Sequence, residues 1–219
     1  EVLLPHLPDG ELRKKLSQWD CRYRPNSKEA TLFHRFYVNV MCEVMGHSQG
    51  IGWRRILYLC TRQGYSMMIL RAADRVLMAE DSILLHGRDK GDLIRRAAAK
   101  TEHEAIQAWS TVNSFHFADR FFGNHQVGRI LGFNSRRYPM PGNHATPFQG
   151  HLLQTATRES TFAPSYHFVT NLGSDEAWTN LPGGPSESRF SKYYRNDIDR
   201  WCRGKYKRLA APIDDLAAP

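Results

Sequence analysis

Apolar residues recur every three or four positions through Leu32, Phe33, Phe36, Tyr37, Val40, Met41 and Val44. At 3.6 residues per turn these side chains share one face, which predicts an amphipathic helix. Asn26-Ser27 before it and Gly46 after it supply the start and the stop. The pattern returns more weakly over 51–62 through Trp53, Ile56, Leu57 and Cys60, and again over 66–79 through Met67, Leu70, Ala73 and Leu77. Together the three segments predict a helical layer. Asp89 and Asp92 form a capping pair for a further long helix, carrying Leu93, Ile94, Ala97, Ala98, Ala105, Ile106, Trp109 and Val112. Carboxylates at its positive N-terminal end add a little stability.

After Ser114 the texture changes to short aromatic pieces punctuated by Gly and Pro. Residues 166–170 and 176–179 cluster β-formers around Gly173-Ser-Asp, the signature of a hairpin. Both strands are expected to extend a sheet made mostly by segments outside this chain. Ser191 is placed to cap a last helix with Tyr194, Ile198 and Trp201 on one face and Gly204 as its stop. The Ala/Pro-rich tail after Leu209 reads as a loosely held end. The chain therefore divides into a helical layer, 16–113, and a region of strands, turns and a terminal helix, 114–219. The fold class is α/β (α+β), mostly helical with a few antiparallel strands.

The 219 residues are 41% hydrophobic and 11% aromatic, enough for a substantial core. The net charge of +8 permits nucleic-acid binding, yet the basic residues are spread in pairs such as Arg54-Arg55, Arg95-Arg96 and Arg136-Arg137, with one denser cluster from Arg203 to Arg208. No base-stacking motif accompanies them, so the reading is a solvated basic surface and no nucleic-acid partner. No apolar run reaches the ~18 residues of a membrane span. Cys21, Cys42, Cys60 and Cys202 show no Cys-x-x-Cys pair, which argues against a zinc ribbon and leaves their pairing open.

Several constellations carry a functional and a structural reading. Gly46-His47-Ser48-Gln49-Gly50 fits the nucleophile-elbow pattern, with 37–44 as its strand and Ser48 as an esterase nucleophile. The competing account is a helix–helix turn in which Gly46 ends one helix and Ser48 begins the next. His116, His125, His144 and His151 lack the spacing that brings two metal ligands together locally, so surface or packing roles are expected. Residues 141–150 form a Gly-punctuated loop of the kind that supports an active site, where His144 and Thr146 are the second-layer candidates; the plainer account is a loop over a sheet edge. Gly183-Gly184-Pro185-Ser186 lacks the Lys of a phosphate loop and reads as a tight turn.

Three blocks resemble the penicillin amidase family. From Phe162 to Leu209 the order and spacing of its C-terminal end hold, through Pro164-Ser-Tyr166, Gly183-Gly184, Ser186, Ser191, Tyr194, Asp197 and Trp201-Cys-Arg-Gly204-Lys-Tyr206. The departures are Ala163 for Gly, Asn171 for Asp, Pro185 for Gln, Glu187 for Gly and Lys192-Tyr193 for Pro-His. Leu16-Ser-Gln-Trp19-Asp20 followed by Asn26-Ser27 and Ala30-Thr-Leu-Phe33 is similar to its Leu-x-x-Trp-Asp-Gly segment. Tyr138-Pro-Met-Pro141-Gly142-Asn-His-Ala-Thr146 is similar to its Pro-x-Pro-Gly-Asp-Gly-Asp-Thr loop, with His144-Ala145 in place of Gly-Asp.

The resemblance implies an N-terminal nucleophile hydrolase with a four-layer αββα sandwich, of which this chain is the C-terminal part. In that family a precursor cleaves itself and the freed N-terminal Ser attacks an amide, with its own α-amino group, of pKa about 8, as general base. The chain begins with Glu1, so the nucleophile, the oxyanion Asn and the calcium-binding carboxylates are expected outside it. No catalytic residue, cofactor or metal ligand is then expected here, and the chain alone is expected to be inert. Calcium belongs to the complete enzyme. The implied partners are companion chains of the same precursor and a small N-acyl amide substrate. The implied location is periplasmic or secreted. A non-catalytic partner-binding module derived from the fold is the competing class.

Overall fold

The computed structural model describes residues 2–209 apart from 47–51, 63–65, 104, 117–125, 132, 144, 149–158, 161–163, 165 and 175. Helix α1 (Glu11–Ser17) leads into α2 (Lys28–Met45), the axis of the helical part. Ser27 caps α2, its hydroxyl accepting the Ala30 amide at 3.0 Å. At the other end the Gly46 amide closes on the Cys42 carbonyl at 2.8 Å.

Two faces of α2 are buried. Leu32, Phe36, Val40 and Val44 pack with Leu93, Ile94, Ala97 and Ala98 of α5 (Lys90–Glu102). Tyr37, Val38 and Met41 pack with Ile56 of α3 (Trp53–Arg62) and with Leu70 and Ala73 of α4 (Ser66–Met78). This is the expected layer, wrapped around one helix apolar on two sides.

The expected long helix from Asp89 stops early. Asp89 does cap it, accepting the Asp92 amide at 2.8 Å, but α5 ends at Glu102 and a separate turn, α6 (Trp109–Val112), follows. The backbone between them is bonded elsewhere: Arg35 donates to the Ala105 carbonyl at 2.5 Å, and the amides of Trp109 and Ser110 donate to the carbonyls of Ser27 and Pro25 at 2.9 and 2.8 Å. An amide committed to the approach to α2 cannot also join a helix ladder.

The second half holds two small sheets. In one, β1 (Ser114–Phe115) pairs antiparallel with β2 (Tyr138–Pro139) and parallel with β3 (Glu159–Ser160). The other is antiparallel in the order β4–β5–β6: β4 (His167–Asn171), β5 (Glu176–Asn180) and β6 (Lys207–Leu209). The hairpin between β4 and β5 turns where expected, with the Asn171 side chain accepting the Gly173 amide at 3.0 Å. Strand β6, inside the basic cluster, is unforeseen; Lys207 turns to the buried Asp197 and Arg208 pairs with Glu176, while the strand's backbone completes the sheet.

The terminal helix is shorter than expected. It is α8 (Ile198–Cys202), with Asp197 at its N-cap, while Ser191 opens a run of turns in which its hydroxyl accepts the Tyr193 amide at 3.2 Å. The Asp197 amide is spent on the Gly183 carbonyl at 2.8 Å, so it cannot join the ladder of a helix that starts at Ser191. Gly204, at φ +63°, ends α8 as expected. Trp201 is fully buried with Phe115, Tyr138, Met140 and Ile198, which form this half's core. The short helix α7 (Gln126–Ile130) lies between β1 and β2 in sequence.

Candidate functional site

The Pro-Gly loop after β2 is held from three directions. The Trp109 indole donates to the Gly142 carbonyl at 2.9 Å, and the Asn113 amide side chain donates to the carbonyls of Met140 and Gly142 at 3.2 and 3.3 Å. The Gly142 amide donates to the Tyr23 carbonyl at 2.9 Å. Gly142 sits at φ +78°, and a Cβ there would lie 2.1 Å from the Phe148 carbonyl oxygen. Only glycine fits that conformation and that approach.

Thr146 closes the loop on itself. Its hydroxyl accepts the Asn143 amide at 2.8 Å and faces the carbonyls of Asn143 and Phe148, both at 3.0 Å. The donor is therefore engaged within the loop, and Thr146 positions backbone rather than substrate.

A cleft of about 310 Å³ opens where this loop meets α2 and α4, walled by Asn143 and Thr146 on one side and by Phe33, His34, Tyr37 and Asp74 on the other. The Tyr37 hydroxyl donates to Asp74 Oδ1 at 2.5 Å. Burial, and then the Asp74 carboxylate, push the Tyr37 phenol well above its ordinary value, so it stays a protonated donor. His34 is buried, with its ring edge-on to Trp109 at 5.3 Å. These groups can orient a polar ligand or a neighbouring chain.

The C-terminal block is bound together just as tightly. A Cβ on Gly184 would lie 1.8 Å from the Tyr193 carbonyl oxygen, so this glycine is required by close approach and not by the positive φ that a tight turn calls for. The Asp197 carboxylate is buried and paired with Arg200 at 3.1 Å and with Lys207. It joins the turn, α8 and β6. The spacing of these residues records packing.

The remaining candidates fall differently. Ser48 and His144 lie outside the described residues, as do His125 and His151. Residues 37–44, the strand that a nucleophile elbow at Ser48 needs, lie within α2. His116 keeps a buried Nδ1 without a hydrogen-bond partner, and burial followed by the charge of Arg137 holds its pKa down. Among the described residues no group of three or more His, Cys, Asp or Glu side chains could hold a metal ion. Cys21 and Cys202 are free thiols. Among the described residues no helix is long and apolar enough to cross a membrane.

Sequence reasoning missed Trp109 and Asn113 as the loop's anchors. Trp109 falls in the stripe that predicts one long helix, and Asn113 lies outside that stripe. The Tyr37–Asp74 pair leaves no local signal, since 37 residues separate the two.

The penicillin amidase family model matches residues 1–217 of the chain. No curated protein matches it.

Proposed function

Because the chain belongs to the penicillin amidase family, we propose that it is the C-terminal portion of an enzyme that hydrolyses the amide bond of N-acylated substrates. The attacking group in this reading is the N-terminal Ser of a segment outside these residues, freed by autoproteolysis. Its α-amino group takes the hydroxyl proton, the oxygen attacks the amide carbonyl, and the amine leaves with that proton. Water then releases the acyl group as a carboxylate.

This chain's part is support. Trp109, Asn113 and Tyr23 fix the loop that carries Asn143 and Thr146, and Tyr37 with Asp74 walls the cleft beside it. Rigid second-layer support of this kind holds reacting groups within the narrow tolerance that acyl transfer needs. Calcium, where the enzyme uses it, belongs to residues outside these. A periplasmic or secreted location accompanies the reading, and the acyl group ranges over penicillins, acyl-homoserine lactones and other N-acyl compounds.

The observation that carries the proposal is the family match over nearly the whole chain. Intact mass and N-terminal sequencing of the native protein should reveal a chain that starts with Ser. A chromogenic N-acyl amide should be hydrolysed by that assembly, and Ser→Ala at the new N-terminus should abolish turnover. An assembly that has no such Ser and leaves every acyl amide intact would refute the enzyme reading.

A non-catalytic binding module is the second reading, and β4 favours it. This edge strand exposes about half of Phe168 and Val169, and the turn beyond it exposes Leu172 almost wholly. Stable partner binding without amide hydrolysis supports that reading.

A further inference from the structure

A second cleft, of about 540 Å³, shares Pro141 of the Pro-Gly loop and lies between β2 and the end of α8. Its charged lining is Arg136, Arg137 and Arg203 against Asp199. Asp199 meets Arg136 at 3.1 Å, and the same guanidinium lies 4.8 Å from the centre of the Tyr138 ring. Arg203 makes no ion pair among the described residues.

The positive groups converge. Burial, then Asp199, push the Cys202 thiol up to about 12, while Arg136 and Arg203 both pull it down. Both guanidiniums line the cleft together with that sulfur, and the thiol adds no negative charge of its own at neutral pH. With Arg136 set against Asp199, Arg203 leaves a full positive charge, which outweighs the half negative charge or so that the C-terminal end of α8 offers. Pro25, Pro139 and Pro141 complete the walls, and their fixed φ keeps that surface rigid.

We propose that this cleft binds a small organic anion, a carboxylate or a phosphate monoester, with its head between Arg136 and Arg203 and a flat apolar body against the prolines and Tyr138. The size suits a small molecule. Guanidinium forks match both head groups. A polyanion would need a continuing stripe of cations, whereas this is one concave spot. The inference stands apart from the amidase reaction and does not depend on it.

Calorimetric titration of the intact protein, with every chain it carries, tests the site using benzoate, phenyl phosphate and neutral benzamide. Both anions should bind, benzamide about tenfold or more weaker, and Arg203→Gln should weaken both anions about tenfold with its melting curve unchanged. Should Arg203→Gln melt early, Arg136→Gln makes the same comparison. The tighter of the two anions tells carboxylate from phosphate. Benzoate held in an acyl pocket elsewhere would not respond to Arg203. Benzamide binding as well as benzoate, anion binding indifferent to Arg203→Gln, or no binding of either anion at about 10 mM would each overturn the proposal.

Discussion

The Trp109 indole donates to the Gly142 carbonyl at 2.9 Å, joining residues 33 apart in sequence. Trp109 is completely buried among Ala30, Val112, Trp19 and Tyr23. The helical layer and the Pro-Gly loop thus share one anchor, and whatever the loop does is coupled to the packing of α2.

Trp109→Phe keeps a ring and removes that donor. The Gly142 carbonyl retains Asn113 at 3.3 Å, so the loss should be about 1–2 kcal/mol plus a small packing cost. Urea denaturation measures it. If Thr146 and Asn143 matter to amide turnover through this loop, turnover in the assembled enzyme should fall further than stability does.

Gly142→Ala and Gly184→Ala should each cost several kcal/mol, because the new Cβ would meet backbone carbonyls at 2.1 and 1.8 Å. Gly87 is the control. Its φ is +73°, but a Cβ there meets nothing within 4 Å, so Gly87→Ala should cost only about 1 kcal/mol. Soluble yield and melting temperature separate the two classes; equal losses at all three positions would remove the close-approach argument.

Elements that announce themselves locally were legible. Helix α2 follows from its apolar stripe and its Ser27 cap, and the hairpin follows from β-formers around Gly173. What was not legible depends on distant partners. Helix α5 does not run on through Trp109, because the amides of Trp109 and Ser110 bond residues near position 26, and no helix runs from Ser191, because the Asp197 amide bonds Gly183. Neither partner is visible in a periodicity. The family blocks were readable as spacing before their cause was: Gly142, Gly184 and Asp197 are held there by backbone contacts from other segments.

Arg88 ties the end of α2 to the turn that precedes α5. Its guanidinium donates to the carbonyls of Leu85 at 2.8 Å, Glu43 at 2.9 Å and Val44 at 3.2 Å, satisfying groups that a helix end leaves bare. Arg88→Met preserves the stem and orphans those carbonyls, with an expected loss of about 2–3 kcal/mol. Arg88→Lys should recover little of it, since one ammonium cannot span three acceptors. Full recovery by Lys, seen in chemical denaturation, would show that charge alone matters.

The last prediction concerns pH. His167 lies between Phe148, Trp201 and Tyr206, with Nδ1 3.0 Å from Asn180 Oδ1. Asn180 donates its own amide to the Lys205 carbonyl at 2.7 Å, which turns its oxygen toward the ring and assigns the proton to Nδ1. A second proton would go to Nε2, which is buried without a hydrogen-bond partner. Burial accordingly holds the His167 pKa below its ordinary value near 6.5, with the Asn180 bond opposing. A histidine depressed in the folded state binds fewer protons than in the unfolded chain, so stability is present above the ordinary value and is lost as pH falls through it. Stability should fall between about pH 7 and pH 5. His116 shifts in the same direction, so His167→Phe should shrink that fall without erasing it. Melting curves across the interval decide the matter: a variant losing as much stability as the parent would mean that the Nε2 environment carries none of the dependence.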